Sequence, residues 1–345
     1  MQPDYSRQQL LKEIGTAGQA KLAKSRVLIV GVGGLGSPVV QYLAGAGVGH
    51  LGLIDSDTLD ASNLHRQPIY ALADHGRSKV LLAQAAAEAI NPSVTVETHA
   101  ARFSADNALA LVRGHDVTVD CSDNFRTKFL VNDAAVLARR PAVFASVYQY
   151  EGQLQVYKPE STHACLRCLW PDATADGVVG NCAAAGVLGP VPGAFGSLQA
   201  LLTLKILLGI KGQLDGELML LDFMNFSAVK LKAPRRGNCL APDCMLIRDI
   251  PLEATDIEIV ALDDLPQPVE MIDIRSAEEV AAAPSRARHI AMSPLLAHPE
   301  LLTAGARYVL VCASGKRSLV AARQLREYGI DVHSLAGGLE RSRPR

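Results

Sequence analysis

Apolar positions in the first half of the chain form short unbroken runs, separated by longer segments in which they recur every three or four residues. The runs Val27–Val30, Leu51–Ile54, Val94–Glu97 and Val117–Cys121 predict strands, and Pro38–Ala46, Lys79–Ile90 and Phe125–Arg139 predict helices between them. Strands alternating with helices predict an α/β fold, a Rossmann-like doubly wound parallel sheet. From Ala142 the pattern changes. Val143–Val147 is followed closely by Gln153–Lys158, and Glu217–Asp222 by Ser227–Lys232 beyond a long apolar helix, so the sheet is expected to continue as a mixed one. Between Ala233 and about Ile257 periodicity lapses, and Pro234, Pro242 and Pro251 mix with charges of both signs, as in a linker. A small α/β unit follows. It has strands at Met271–Ile274, Tyr308–Val311 and Asp331–Leu335, and a helix Arg317–Tyr328 closed by Gly329. The expected organisation is a first domain over 1–245, a linker over 246–256 and a second domain over 257–345.

Composition narrows the function. At 345 residues the chain exceeds the usual size of one core. Its 34 basic and 35 acidic residues provide no basic field for nucleic acid. The segment from Gly193 to Ile210 comes nearest to a membrane span, but Gln199 and Lys205 interrupt it, and Met1–Arg7 lacks the apolar stretch of a signal peptide. No nucleic-acid or membrane partner is expected, and the chain reads as cytoplasmic. Its seven cysteines are then expected as thiols, metal ligands or nucleophiles rather than a disulfide framework.

Two loops suit anions. Gly31-Val-Gly33-Gly34-Leu-Gly36 follows the first strand, and Cys312-Ala-Ser-Gly-Lys-Arg317 follows Tyr308–Val311. A strand that turns tightly into a helix aims backbone N–H groups and the positive end of the helix dipole into the turn. The glycine loop suits a nucleotide phosphate, and Asp55, ending the next strand, is spaced to accept hydrogen bonds from a ribose. That much fits NAD equally well. Asp57, the polar run Ser62-Asn-Leu-His-Arg-Gln67 and Lys79 depart from that pattern, because fixed cations suit attack on the α-phosphate of ATP more than nicotinamide binding. Asp120-Cys-Ser-Asp123-Asn124, at a strand's carboxyl end, supplies a carboxylate for Mg²⁺.

Together with Tyr5-Ser-Arg-Gln8, these motifs closely resemble the MoeB/ThiF family, prokaryotic relatives of ubiquitin-activating enzymes, over about Asp4 to Cys244. The resemblance implies that ATP adenylates the C-terminal glycine of a ubiquitin-like sulfur carrier ending in Gly-Gly. It places the nucleotide at Gly31, Gly33, Gly34 and Gly36, with Gly34 nearest the phosphates and Asp55 at the ribose. Asn63, Arg66 and Lys79 would line the phosphate chain and Asp123 would serve Mg²⁺, with Asp57, Ser62 and Asn124 also among the cofactor-binding residues. It also implies a homodimer in which Arg7 reaches the other subunit's site.

Cys165-Leu-Arg-Cys168 and Cys239-Leu-Ala-Pro-Asp-Cys244 are two pairs which, if folded together, make a closed tetrahedral zinc site. The family resemblance implies the same Zn²⁺, although its second pair is usually spaced by two residues rather than four. Cys121, inside an apolar strand, reads as a core residue. Cys182 follows the polar stretch Asp172–Gly180, and relatives use a cysteine there for a covalent adduct with the carrier. The thiol of Cys312 faces successive N–H groups beside Arg317, conditions that favour a thiolate or a persulfide anion. About Glu270 to Glu340 resembles rhodanese-like sulfurtransferases, including Ile272-Asp-Ile-Arg275 and Ala336-Gly-Gly-Leu339. The usual Gly-His-Ile-Pro-Gly-Ala segment survives only as Arg288-His-Ile-Ala291. A phosphatase on this scaffold is the rival reading, but its loop carries one more residue before the arginine.

The leading expectation is a fused adenylyltransferase and sulfurtransferase using ATP, Mg²⁺ and Zn²⁺. Sulfur would pass from a cysteine desulfurase through Cys312 to the carrier, with Cys182 resolving the intermediate, in molybdopterin- or thiamine-type metabolism. An NAD-dependent oxidoreductase and a non-enzymatic carrier scaffold are the alternatives.

Overall fold

Five parallel strands and three antiparallel ones make the larger sheet of this protein, and the order of the parallel strands decides where a ligand can sit. In the computed structural model, residues 3–159, 164–171, 186–236, 257–259, 261–262, 265–303 and 305–340 are described. Strands β1 (Arg26–Val30), β2 (His50–Ile54), β3 (Thr95–His99), β4 (Val117–Asp120) and β5 (Ala142–Tyr148) run parallel. Then β6 (Glu151–Tyr157), β7 (Glu217–Asp222) and β8 (Ser227–Lys232) add antiparallel, giving the order β3-β2-β1-β4-β5-β6-β7-β8. The change to mixed direction falls after β5, because β5 and β6 join through two residues and such a hairpin can only be antiparallel.

The strands form where unbroken apolar runs can be buried on both faces. Val27, Leu51 and Val117 pack against the helices Gly36–Gly45, Lys79–Ile90 and Pro190–Leu208 on one face. Leu28, Val30 and Ile54 pack against Ala105–Arg113 and Phe125–Ala138 on the other. Pro190–Leu208 is long and apolar enough by itself to cross a membrane, but half of its apolar window is buried within the fold. Its Val191, Phe195, Gln199 and Thr203 are all buried, so it serves as a core helix.

Several predicted strand bounds shift by a residue or two. The first two strands begin one residue earlier, at Arg26 and His50, the third runs Thr95–His99 rather than Val94–Glu97, and the fourth stops at Asp120, leaving Cys121 in the loop that follows. Cys121 is nevertheless buried, and burial pushes its thiol well above the usual range.

The chain divides into two compact units, Met1–Ile250 and Pro251–Arg345. In the second, β9 (Glu258–Ile259), β10 (Glu270–Asp273), β11 (Arg288–His289), β12 (Arg307–Val311) and β13 (Asp331–Leu335) form an all-parallel sheet in the order β11-β10-β12-β13-β9. The expected linker over 246–256 lies outside the described residues.

Candidate functional sites

The order β3-β2-β1-β4 reverses the direction of winding between β1 and β4, and the crevice beyond their carboxyl ends is where open α/β sheets bind ligands. The glycine loop enters that crevice directly from β1. Gly31 has φ +90°, and a Cβ there would stand 2.9 Å from the Cys121 carbonyl oxygen after β4. Gly36 opens the following helix so close to the loop that a Cβ would lie 2.2 Å from the Gly31 oxygen. No larger residue fits this turn.

Asp55 fixes the loop from the neighbouring strand. Its Oδ2 accepts from the Val32 N–H at 2.9 Å, and its Oδ1 accepts from the Asp57 N–H at 2.9 Å. Burial raises the pKa of Asp55, and these two N–H donors oppose the rise. Asp57 in turn accepts from Lys79 Nζ at 3.0 Å. The lysine stem is buried while the aspartate is largely exposed, so the ammonium is held at the rim of the crevice.

The run Ser62–Gln67 lies over the same loop. Asp60 caps a short 3₁₀ turn, Ala61–Asn63: its Oδ1 accepts from the Ser62 N–H at 2.8 Å and hydroxyl at 2.5 Å, and Asn63 Oδ1 accepts from the Asp60 N–H at 3.2 Å. The turn puts Arg66 beside the glycines, since a Cβ on Gly34 would be 3.4 Å from the Arg66 carbonyl oxygen. The Arg66 guanidinium donates to Ser62 O at 3.0 Å and lies 2.8 Å from a His65 ring nitrogen. Gln67 is buried against Gly33.

The two aspartates after β4 are unlike one another. Asp120 is fully buried, ion-paired with Lys128 and accepting from the Ser122 hydroxyl at 2.5 Å. Asp123 is exposed at the carboxyl edge, and Asn124 caps Phe125–Ala138 through a 2.8 Å bond from the Thr127 N–H. Asp120 is thus committed to the fold and Asp123 faces outward.

Arg7 lies apart from this group. Gln8 donates to the Ala46 oxygen at 2.9 Å, and the Tyr5 hydroxyl accepts from Asn91 at 2.8 Å. Ala46 and Asn91 lead into the amino ends of β2 and β3, at the opposite edge of the sheet from the glycine loop, and β1 alone spans about 16 Å between the two edges. The exposed Arg7 side chain cannot enter the crevice of its own chain.

Two supports were not anticipated from sequence. The Tyr70 hydroxyl donates to Val32 O at 2.7 Å and lies 3.3 Å from Lys79 O, tying the glycine loop to the next helix. Gln199 Nε2 donates to Asp120 O at 2.7 Å. A glutamine within a mostly apolar helix was the available signal, because a buried amide needs a partner.

Cys165 stands at the N-cap of a short helix, Leu166–Leu169, and Cys168 within it, with their sulfurs 3.9 Å apart. The helix is pinned by Arg167, whose guanidinium is bidentate on buried Asp133 at 3.1 and 2.7 Å and lies 4.7 Å over the Phe129 ring. Cys182, Cys239 and Cys244 lie outside the described residues. Among the described residues no three metal-ligating side chains converge.

In the second unit, Cys312 directly follows β12 and is fully buried. Gly315 (φ +85°) turns the loop into the helix Lys316–Glu327. The segment Ala336–Leu339 closes over it: the Leu339 N–H donates to Cys312 O at 2.9 Å, and a Cβ on Gly338 would lie 2.3 Å from that oxygen. Arg317 is bidentate on Glu279 at 2.7 and 2.5 Å, a pairing that holds the Glu279 carboxyl down at about 2. Arg275 clasps Asp273 at 2.9 and 2.7 Å, and the Ser285 hydroxyl donates to the same carboxylate at 2.7 Å. Burial pushes Asp273 up, but these donors outweigh it and leave its pKa lowered. His289, in the altered Arg288–Ala291 segment, lies 2.8 Å from the Arg275 oxygen and packs the wall of this network.

Residues 5–241 match the model of the ThiF family. The chain belongs to the ThiF family. This ThiF-family chain also carries a rhodanese-like domain, matched over 259–342. It is 46% identical over 239 residues to the sulfur carrier protein adenylyltransferase of Thermus thermophilus, an alignment covering 68% of this chain and 88% of that protein. It is 36% identical over 372 aligned positions to the adenylyltransferase and sulfurtransferase MOCS3 of Drosophila willistoni, covering 97% of this chain and 81% of the relative. Of the Anopheles gambiae MOCS3, 43% identical over 79% of this chain, it spans 63%. Among solved structures, Escherichia coli MccB with MccA-N7isoASN aligns with a TM-score of 0.61 at 22% identity, over 69% of this chain and 73% of that one, a likeness of fold.

Proposed function

We propose that this protein uses ATP to adenylate the C-terminal glycine of a ubiquitin-like sulfur carrier and then delivers sulfur to it, leaving a thiocarboxylate. The observation that carries the first half is the assembly of the glycine loop, Asp55, the Asp57–Lys79 pair and the Arg66 turn at one crevice, in a chain whose relatives are named adenylyltransferases. Attack of the carrier carboxylate on the α-phosphate builds negative charge on the phosphoryl oxygens and on departing pyrophosphate. Preorganised cations and loop N–H groups stabilise that charge most where they need no reorganisation. In this reading Gly31, Gly33, Gly34 and Gly36 cradle the phosphates and Asp55 receives the ribose. Asn63, Arg66 and Lys79 serve the phosphate chain, and exposed Asp123, beside Asn124, would hold Mg²⁺, which would supply charge neutralisation there. Asp57 and Ser62 position Lys79 and the Arg66 turn.

The protein acts in this reading as a homodimer. Arg7 stands at the wrong edge of its own sheet, so any contribution it makes to a crevice has to be to a partner copy's. ATP–pyrophosphate exchange tests the assignment. A carrier ending in Gly-Gly should be required, and Arg66→Ala or Asp123→Ala should slow exchange about 100-fold or more. Mixed dimers of Arg7→Ala and Asp123→Ala chains should regain exchange in one composite site. Variants that exchange at the wild-type rate would remove the reading.

The sulfur half rests on Cys312, loaded as a persulfide by a cysteine desulfurase, with Cys182 resolving the carrier intermediate. For Zn²⁺ the described half of the site fits. Thiolates bound tetrahedrally at about 2.3 Å stand about 3.8 Å apart, and the Cys165–Cys168 sulfurs stand at 3.9 Å. Cys165, Cys168, Cys239 and Cys244 would together hold one structural zinc. Metal analysis of protein purified without chelators should give one zinc per chain, falling in parallel with thermal stability in Cys168→Ser. A zinc-free wild-type preparation would contradict it.

A further inference from the structure

The Cys312 sulfur is backed by a short chain of hydroxyls. Ser318 Oγ, in the first turn of Lys316–Glu327, lies 3.5 Å from the sulfur and 3.0 Å from the Gly315 carbonyl oxygen. Ser334, from β13, donates to Ser318 Oγ at 2.8 Å and also lies 3.4 Å from the Gly315 oxygen. Cys312, Ser318 and Ser334 have no accessible surface, so water cannot stand in for any of them.

Counting protons gives the chain a direction. While the sulfur is a thiol, its S–H can donate to Ser318 Oγ, and the Ser318 hydroxyl can donate to Gly315 O. When the thiol proton leaves to solvent, the sulfur becomes an acceptor. The Arg317 guanidinium is one side-chain donor within its reach, and the hydroxyl proton of Ser318 is a second. Turning that hydroxyl onto the sulfur takes it away from Gly315 O, which keeps the Leu319 N–H at 3.1 Å. Ser334 goes on donating to Ser318 Oγ and polarises that hydroxyl toward the sulfur.

We propose that Ser334 is a positioning residue for Cys312, acting through Ser318, whose hydroxyl it turns and polarises toward the sulfur anion. The proposal rests on the reading of Cys312 as the sulfur-accepting nucleophile. The thiolate is the form that attacks the outer sulfur of a donor persulfide, displacing the donor's own thiolate. Ser334 touches neither the sulfur nor any substrate, and its effect is carried wholly by its neighbours.

The test is the pH titration of the Cys312 thiolate in the full-length protein. It is read as ultraviolet thiolate absorbance after subtraction of the same protein carrying Cys312→Ala. Ser334→Ala removes one buried oxygen and should raise the midpoint by about half a unit to one unit. Ser334→Thr, which keeps the hydroxyl, should bring it back. In a Ser318→Ala background the Ser334→Ala change should add nothing, because its route to the sulfur is gone. If Ser334→Ala does not fold, Ser334→Cys, a weaker donor of similar shape, should show a smaller rise. An unchanged midpoint, or an equal shift with and without Ser318, overturns the proposal. Persulfide loading is read separately by intact mass. A wild-type protein that never loads, yet shows the Ser334 shift, would retain the hydroxyl relay and remove the sulfurtransferase reading.

Discussion

Single residues at the nucleotide crevice are fixed by what there is no room for. Gly36 begins a helix whose first Cα nearly touches the Gly31 carbonyl, so Gly36→Ala must either move the loop or break the helix start. The cost expected is about 3 kcal/mol, the upper end of overpacking, with a fall in thermal midpoint and in nucleotide-dependent exchange together. An alanine variant with wild-type stability would show that the loop has slack. This glycine spacing is legible in the sequence because only one residue type tolerates such approach. What the sequence does not distinguish is Asp120 from Asp123. Both lie about the carboxyl end of the same predicted strand, and the packing of Lys128 and Gln199 commits Asp120 to the interior. Tyr70 is missed for the same reason: its partners, Val32 and Lys79, are set by the crossing of two loops distant in sequence.

At the scale of elements, legibility follows burial pattern. Lys79–Ile90, Glu217–Asp222, Ser227–Lys232 and Asp331–Leu335 fall where periodicity puts them. Gly15–Leu22 does not announce itself, because it contains two glycines and buries only Gln19 and Leu22. The edge of the sheet between β1, β2 and β3 carries a further consequence. His115, after Ala105–Arg113, is buried with Nδ1 2.7 Å from Leu111 O, and its Nε2 lies against Gly52. The His50 ring packs against it, tilted by 43° with centroids 5.6 Å apart, and has Arg26 and Glu97 at 3.0 and 3.4 Å. Burial lowers the pKa of both histidines, reinforced for each by Arg26 and opposed at His50 by Glu97. The folded state therefore binds fewer protons than the unfolded chain. The stabilisation this gives is full above the unfolded histidine pKa of about 6.5 and is lost as pH falls toward the folded values. Denaturant unfolding between neutral and mildly acidic pH should show stability declining, and His115→Leu should flatten the decline. A slope unaltered in that variant would place the proton uptake elsewhere.

Across the whole molecule, two independently built sheets carry the two halves of the proposed chemistry, each with an anion-suited turn at the carboxyl end of a parallel strand. The glycines, Asp55 and Lys79 belong to the first unit, while Cys312, Arg317 and Glu279 belong to the second, with its own buried core around Val309, Val311 and Leu335. Cys312→Ala therefore removes the proposed nucleophile from one fold and changes no residue of the other. It should retain ATP–pyrophosphate exchange at the wild-type rate and lose persulfide-dependent thiocarboxylate formation. Arg317→Ala should lose less, since loop N–H groups still face the anion, although freeing Glu279 places an unpaired carboxylate near it. Carrier mass after incubation with ATP and a cysteine desulfurase reads the outcome, because exchanging a carboxyl oxygen for sulfur adds about 16 Da. Free sulfide has to be scavenged, since it can attack an acyl adenylate unaided. Thiocarboxylate formed by Cys312→Ala at the wild-type rate would show that sulfur reaches the carrier without the rhodanese-like domain. Loss of exchange in the same variant would show instead that the two folds do not act as separate units.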